Sequence, residues 1–414
     1  MESFFKVKRP EEVFKIINQF GPSGEETIPL KDSLDRVLRQ DIVSKEDLPH
    51  FSRSVVDGYA VRAKDTYGAG ESLPALLEIV GEVLMGQDPG IVVGGGQAGR
   101  ISTGGMLPEN ANAVVMKEHC HLLDERTLEV SRAVSPLENI IQPGDDFSRG
   151  ETVLRKGHAL RPQDLGLLAG LGQKNVAVYT KPRVAIISTG DEIVPIDTQP
   201  RPGQVRDINR YTLGAFCLRI GADPMHMGLC SDDFETMRAL VETGVNQADT
   251  VWISGGSSVG TRDLTLQVFE TLNGFELLVH GISVSPGKPT ILGKCGSKPV
   301  IGLPGHVTSA LVVADVFLAP LIFRLSGRTD SYSERQPQVE STLARNIESA
   351  GGREDYIRVR LLKKGETWLA EPIFGKSGLI STLVEADGLI RIDTNTEGLY
   401  KGQKVKVMLN GGIR

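Results

Sequence analysis

The chain has 414 residues, more than one ordinary core accommodates; at about 150 residues per domain, two to four domains are expected. Hydrophobic residues make up 40% and charged residues 24%, which excludes wholesale disorder. The formal net charge of −6 argues against a general nucleic-acid binder, a class that is usually basic. An anionic ligand would then need local Lys or Arg, backbone N–H groups or a metal to collect it.

The segment Met1 to Phe14 is charged and has no apolar core of signal-peptide length. Val13, Ile16, Ile17 and Phe20 recur at helical spacing, and Gly21-Pro22 ends that helix. A second short helix is expected over Ser33 to Arg39. From 49 to 147 the pattern becomes short β-like runs, such as Ala75 to Val80 and Ala113 to Met116, separated by Gly-rich turns. Asp164 to Leu171 reads as a helix returning to the first segment. The expected domains are therefore a discontinuous linker and dimerisation domain (1–48 plus 148–180) and a small, mostly β domain (49–147).

Between 181 and 328, strands and helices alternate. Arg183 to Ser188, Met225 to Cys230, Thr250 to Ser254 and Val300 to Leu303 read as strands. Phe234 to Val245, Leu264 to Leu272 and Thr308 to Leu325 read as helices. Such β/α alternation implies a parallel, doubly wound α/β domain. From 329 to 414 the pattern is again all β, as in a small C-terminal barrel. The apolar run Ala310 to Phe323 is interrupted by Asp315 and Pro320 and reads as too short to span a bilayer, so no membrane is expected. Four scattered cysteines without a C-x-x-C pair suit a reducing cytoplasm.

In a parallel open sheet, ligands bind beyond the carboxyl ends of the strands. Three turns at such ends are rich in Gly, Ser and Thr. They are Ser188-Thr189-Gly190-Asp191-Glu192, then Ser254-Gly255-Gly256-Ser257-Ser258-Val259-Gly260, then Gly302-Leu303-Pro304-Gly305-His306. Glycines let backbone N–H groups approach an anion, and helix N-termini add favourable partial charge. Asp191, Glu192, Asp232, Asp233 and Asp263 lie at the same edge. Carboxylates beside an anion pocket call for a divalent cation such as Mg²⁺. Asp232 and Asp233 have an alternative reading as caps of the helix beginning at Phe234, expected above all for Asp232.

These segments together resemble the molybdopterin molybdenumtransferase family, whose relatives include the E domain of gephyrin. The likeness rests on S-x-x-D-G-Y-A-V at Ser54 to Val61, T-G-x-x-x-P at Thr103 to Pro108 and G-[DE]-D at Gly144 to Asp146. It continues with S-T-G-D-E at Ser188 to Glu192, S-G-G-x-S-x-G-x-x-D at Ser254 to Asp263, P-G-K-P at Pro286 to Pro289 and G-L-P-G at Gly302 to Gly305. The resemblance implies four domains and a homodimer with its active site between subunits. It implies a transferase that inserts molybdenum from molybdate into adenylylated molybdopterin, releasing AMP with help from Mg²⁺ or a similar cation. Carried over by motif, Asp57, Thr103, Asp146, Glu192, Asp233 and Asp263 would be catalytic. Asp57, Glu192 and Asp263 would hold the metal. Ser188, Thr189, Gly190, Ser254, Gly255, Gly256, Ser258, Gly260, Ser285, Pro286, Lys288, Pro304 and His306 would bind the pterin and phosphates.

Two lysines frequent in the family are replaced by Gly281 and Ser285, and the family's G-L-P-G-N-P ends here in His306-Val307. Oxyanion capture would then pass to Arg53, Arg62, Lys288, Arg353 or Arg358. A tungstate-preferring paralogue, or a molybdopterin-binding scaffold with weakened catalysis, is the alternative that these departures suggest.

Overall fold

A computed structural model describes residues 7–255 and 259–411, with side chains throughout except at 259–263. The chain forms two compact units. One gathers the chain up to Gln40, Lys156–Pro162 and the chain from Asn175 onward; the other holds Asp41–Arg155 and Gln163–Lys174.

The first unit is built on a six-stranded sheet. Its order is Asp223–Cys230, Arg183–Thr189, Thr250–Gly255, Lys298–Leu303, Ile291–Cys295, Phe275–His280. The first four strands are parallel. The last two extend the sheet as an antiparallel hairpin that the sequence pattern did not single out. Burial on both faces explains the near-continuous apolar runs. Side chains alternate across a strand, and the partition is clean. Val184 and Ile186 join Leu213, Phe216 and the helix Val307–Leu325 on one side. Ala185 and Ile187 join Met237, Val241 and Phe269 on the other.

The helix Val307–Leu325 is 19 residues long and 78% buried. It runs through Asp315 and Pro320 without a break and contains a π-helical turn, Ala314–Leu318. It is long and apolar enough to cross a bilayer, contrary to the sequence expectation, yet here it is a core helix. Its apolar surface also buries Val13 and Ile17 of the first helix, Pro10–Ile17.

The C-terminal strands close into a five-stranded barrel. Glu354–Lys364 pairs with Thr367–Pro372, which pairs with Gln338–Leu343, then Lys404–Leu409, then Gly388–Ile392, which returns to the first. Full closure leaves no open edge around the ring. A short strand, Val284–Ser285, pairs in parallel with Glu354–Asp355 and ties the α/β sheet's loops to the barrel.

The helix expected over Ser33 to Arg39 does not form. Asp35 adopts a positive φ of 62°, which a helix interior does not tolerate. Val37 and Leu38 make extended bridges to Ala159 and Val178 instead.

The second unit contains the sheet Ala113–Met116, Gly58–Val61, Gln97–Ile101, Ala75–Glu82, Thr127–Val130, Cys120–Leu122. Tyr59, Val61, Val115, Leu128 and Val130 fill one of its cores.

Candidate functional site

The turn after Arg183–Thr189 organises the acidic edge of the first unit. Ser188 Oγ donates to Asp207 Oδ1 at 3.0 Å, and Thr189 Oγ1 donates to Asp232 Oδ1 at 2.8 Å. Both hydroxyls are therefore committed to carboxylates within the protein. Asp207 is buried and also accepts from Arg210 N–H at 3.1 Å, at the start of the helix Asn209–Arg219. Asp232 N–H donates to Asp191 Oδ1 at 3.1 Å. Gly190 has a φ of 149°, which L side chains rarely adopt, and a Cβ there would lie 2.8 Å from the Glu192 carboxylate and 3.0 Å from Ile193.

Burial, aided by the charges of Asp191 and Glu192, pushes the Asp232 carboxyl above its usual range, against the hydrogen bond from Thr189. Asp233, not Asp232, caps the following helix. Its Oδ2 accepts from Thr236 Oγ1 at 2.6 Å and Thr236 N–H at 2.9 Å, and these bonds lower its pKa. The capping geometry takes the residue immediately before Phe234 because only its carboxylate reaches the N–H three residues on.

Ser254, next to last in the central strand, is fully buried, and among the described residues its Oγ has no hydrogen-bond partner. Gly255 follows at a φ of 157°, where a Cβ would overlap the Thr189 carbonyl. Gly256 and Ser258 lie outside the described residues. Gly260 and Asp263 fall on the helix Val259–Glu270, and their side-chain surroundings lie outside the description.

A cleft of about 480 Å³ opens beside this edge, between the sheet's loops and the barrel. Ser285, Pro286, Lys288, Pro304 and His306 line it, so five residues expected to bind substrate are brought together. The strand pairing of Val284–Ser285 with Glu354–Asp355 explains why: it sets the Pro286–Lys288 turn opposite Arg353 and Arg358, which line the same cleft. Arg353 is paired with Asp355 at 3.1 Å and remains half exposed. Arg358 donates to Thr382 Oγ1 at 3.2 Å and to the Gly375 carbonyl at 3.1 Å; its buried Nε has no partner among the described residues, and burial lowers its pKa. An acidic protein thus carries a locally cationic cleft, which suits an anionic ligand.

His306 Nδ1 lies 2.7 Å from Ser377 Oγ, and Thr308 N–H donates to the Ser377 carbonyl at 3.2 Å. Asn209 Nδ2 donates to the Gly305 carbonyl at 2.8 Å and fixes the same turn from beneath. Asn209 Oδ1 and Thr308 Oγ1 are buried without partners among the described residues. Asn209 and Ser377 were not singled out in the sequence. Asn209 carries the readable signal of a polar residue opening an apolar-striped helix; Ser377 carries none.

In the second unit Asp57 sits at the bend leading into Gly58–Val61. Its Oδ1 accepts from Thr103 N–H and from Thr103 Oγ1, each at 2.9 Å, and Lys117 Nζ lies 3.4 Å from Oδ2. The Thr103 N–H, then its hydroxyl, then Lys117 hold this carboxyl below the usual range. Gly58 is required because a Cβ would strike the Val115 carbonyl. Asp146 is exposed in a neighbouring turn, whose backbone is held by Asp146 N–H to the Leu48 carbonyl at 3.1 Å.

Among the described residues, no three His, Cys, Asp or Glu side chains form a metal-holding group. The neighbouring Asp191, Glu192 and Asp232 nevertheless make an environment in which a cation would relieve repulsion.

Three family models match in chain order. They are the MoeA N-terminal region (domain I and II) over residues 8–172, the "Probable molybdopterin binding domain" over 185–324 and the MoeA C-terminal region (domain IV) over 340–409. The chain is 35% identical to a protein of molybdopterin biosynthesis from Methanocaldococcus jannaschii, over 92% of this chain and 91% of that one. It is 31% identical to the molybdopterin molybdenumtransferase of Haemophilus influenzae, over 93% and 94%. The crystal structure of a molybdopterin biosynthesis MoeA protein from Pyrococcus horikoshii OT3 superposes with a TM-score of 0.84 at 31% identity, covering 98% of this chain and all of that one.

Proposed function

The chain belongs to the MoeA family of molybdopterin molybdenumtransferases, and from that premise we propose that it inserts molybdenum, taken from molybdate, into adenylylated molybdopterin and releases AMP. The observation that carries this reading is the cationic cleft. Lys288, Arg353 and Arg358 face one space beside the Pro304–His306 turn, as capture of phosphates and an oxyanion requires. Charge develops on phosphate oxygens as the anhydride bond to AMP breaks, and fixed cations and N–H groups stabilise it.

In this reading Lys288 and Arg353 contact the anion directly. Pro286, Pro304 and Ser285 shape the pterin side, with the Ser254–Gly260 turn supplying backbone N–H groups. Ser188 and Thr189 are positioning residues, because their hydroxyls hold Asp207 and Asp232. A divalent cation such as Mg²⁺ would neutralise anhydride oxygens beside Glu192. Asp232, Asp263 and Asp57 are its further candidate ligands. Asp233 supports the edge as a helix cap.

We extend the proposal to a homodimer whose site is completed by Asp57, Thr103 and Asp146 of a second copy. It includes four domains at 1–48 with 148–180, 49–147, 181–328 and 329–414. It places the enzyme in the cytoplasm, where the four free cysteines stay reduced, with small-molecule substrates and neither nucleic acid nor membrane as partners.

The test is AMP release from adenylylated molybdopterin in the presence of Mg²⁺ and molybdate. Glu192→Gln should abolish release without lowering the melting temperature. ATP-dependent formation of adenylylated molybdopterin would assign an adenylyltransferase instead. Binding without release would assign a scaffold. A tungstate preference is the second reading, favoured by Ser285 lining the cleft where lysine is frequent in the family. Parallel assays with the two oxyanions separate these.

A further inference from the structure

A second cavity, of about 350 Å³, shares Tyr356 with the cleft and has no part in the chemistry above. Its walls are aromatic. Phe14 stacks on Phe317 with ring centroids 5.3 Å apart, and Phe323 meets Tyr332 edge to face at 5.3 Å. Met408 adds a polarisable, adaptable surface of the kind that accommodates rings.

Three guanidinium groups, of Arg324, Arg328 and Arg391, and two carboxylates, Asp315 and Asp330, line it, and Arg391 is paired at 3.0 Å with Asp393. Both carboxylates are already engaged. Asp315 accepts from Tyr332 Oη at 2.6 Å, Gln336 Nε2 at 3.0 Å and Arg219 at 3.4 Å. Asp330 receives both arms of Arg328, at 2.9 and 3.1 Å. Arg324, by contrast, has a buried Nε with no hydrogen-bond partner among the described residues. A buried donor without a partner is rare; this Nε is closed to solvent, so the outer guanidinium nitrogens would be the atoms that meet an occupant.

Asp315 and Val316 reach this cavity from the π-helical turn Ala314–Leu318. Single π-turns inside helices are rare and concentrate at functional sites. Volume, aromatic walls and the Arg324 guanidinium agree with one occupant class.

We propose that this cavity binds a small planar aromatic monoanion, such as an aryl carboxylate, with its ring among Phe14, Phe323 and Tyr332 and its anionic group on Arg324.

The probe is anilinonaphthalene sulfonate, an aromatic monoanion whose fluorescence rises on binding, titrated into the full chain. Naphthoate, an aryl carboxylate, is the competitor. Saturable binding of one probe per chain is expected, displaced by naphthoate. Phe14→Ala and Arg324→Met should each weaken it at least about tenfold, the loss of a charged hydrogen bond or an aromatic wall. Arg324→Lys should recover part of the affinity, which a merely unfolded variant would not. Lys288→Ala, in the neighbouring cleft, should leave the affinity unchanged. Absence of saturable binding, wild-type affinity in Phe14→Ala and Arg324→Met, loss in Lys288→Ala, or equal affinity for the uncharged anilinonaphthalene would each overturn the assignment.

Discussion

His306 Nδ1 sits 2.7 Å from Ser377 Oγ, so the turn that ends the last parallel strand is fastened directly to the C-terminal barrel. The neighbouring N–H of Thr308 donates to the Ser377 carbonyl, which makes the fastening a two-point contact. Both bonds border the cleft that Lys288, Arg353 and Arg358 line.

Ser377→Ala and His306→Ala should therefore loosen one wall of the cleft without unfolding it. A net hydrogen bond contributes about 0.5–1.5 kcal/mol, so KM should rise roughly two- to tenfold. The backbone contact survives in Ser377→Ala, and kcat should change little. Steady-state AMP release in the two variants checks this.

Asp57 yields a pH prediction. Its folded pKa lies below the usual carboxylate value, first through the Thr103 N–H, then the Thr103 hydroxyl, then Lys117. Its stabilising contribution is present above the unfolded pKa, near about 4, and is lost as pH falls through the folded value. Urea unfolding between neutral pH and pH about 3 should show a smaller acid loss in Asp57→Ala than in the wild type.

Asp232 has the opposite sign. Burial, with Asp191 and Glu192 adding to it, raises its folded pKa, so stability declines as pH rises through that value. Asp232→Asn should raise the melting temperature at neutral pH. Added Mg²⁺ should raise the melting temperature of the wild type, and raise that of Asp232→Asn by less. Thermal melts with and without the cation measure both effects.

Gly255→Ala tests the geometry of the central strand's end. The new Cβ would overlap the Thr189 carbonyl, a backbone atom that cannot rotate away. Strain of this kind costs about 1–3 kcal/mol or more. Urea denaturation should show at least that loss, whereas Gly203→Ala, at a positive φ but with open space around it, should cost less.

Much of this arrangement was legible in the sequence because its determinants are local. The apolar runs at Arg183–Thr189 and Thr250–Gly255 announce strands buried on both faces. The Gly-rich turns after them mark the edge where the acidic residues gather. Lys288, Arg353 and Arg358 were readable as charge, and the pairing of Val284–Ser285 with Glu354–Asp355 is what turns that charge into one cleft. That pairing joins residues about seventy positions apart, and no local pattern encodes it. Ser377 was missed for the same reason. The hairpin Phe275–His280 and Ile291–Cys295 has no clear period-two signal: the first strand exposes Glu276 and Leu277 side by side, and the second is five residues long with Gly293 at its centre. At Ser33 to Arg39 helical spacing misled, since the left-handed Asp35 reverses the chain. The committed hydroxyls of Ser188 and Thr189 were equally invisible, because hydrogen-bond direction belongs to the folded state.

The most direct test of the central claim is molybdate-dependent AMP release from adenylylated molybdopterin by Lys288→Ala and Arg353→Ala. Both side chains have substantial solvent exposure, so both variants should fold and melt like the wild type. If the cationic cleft collects the anionic substrates, each variant should lose about tenfold or more in kcat/KM, as removal of a charged hydrogen bond implies. Wild-type release by both variants would contradict the account.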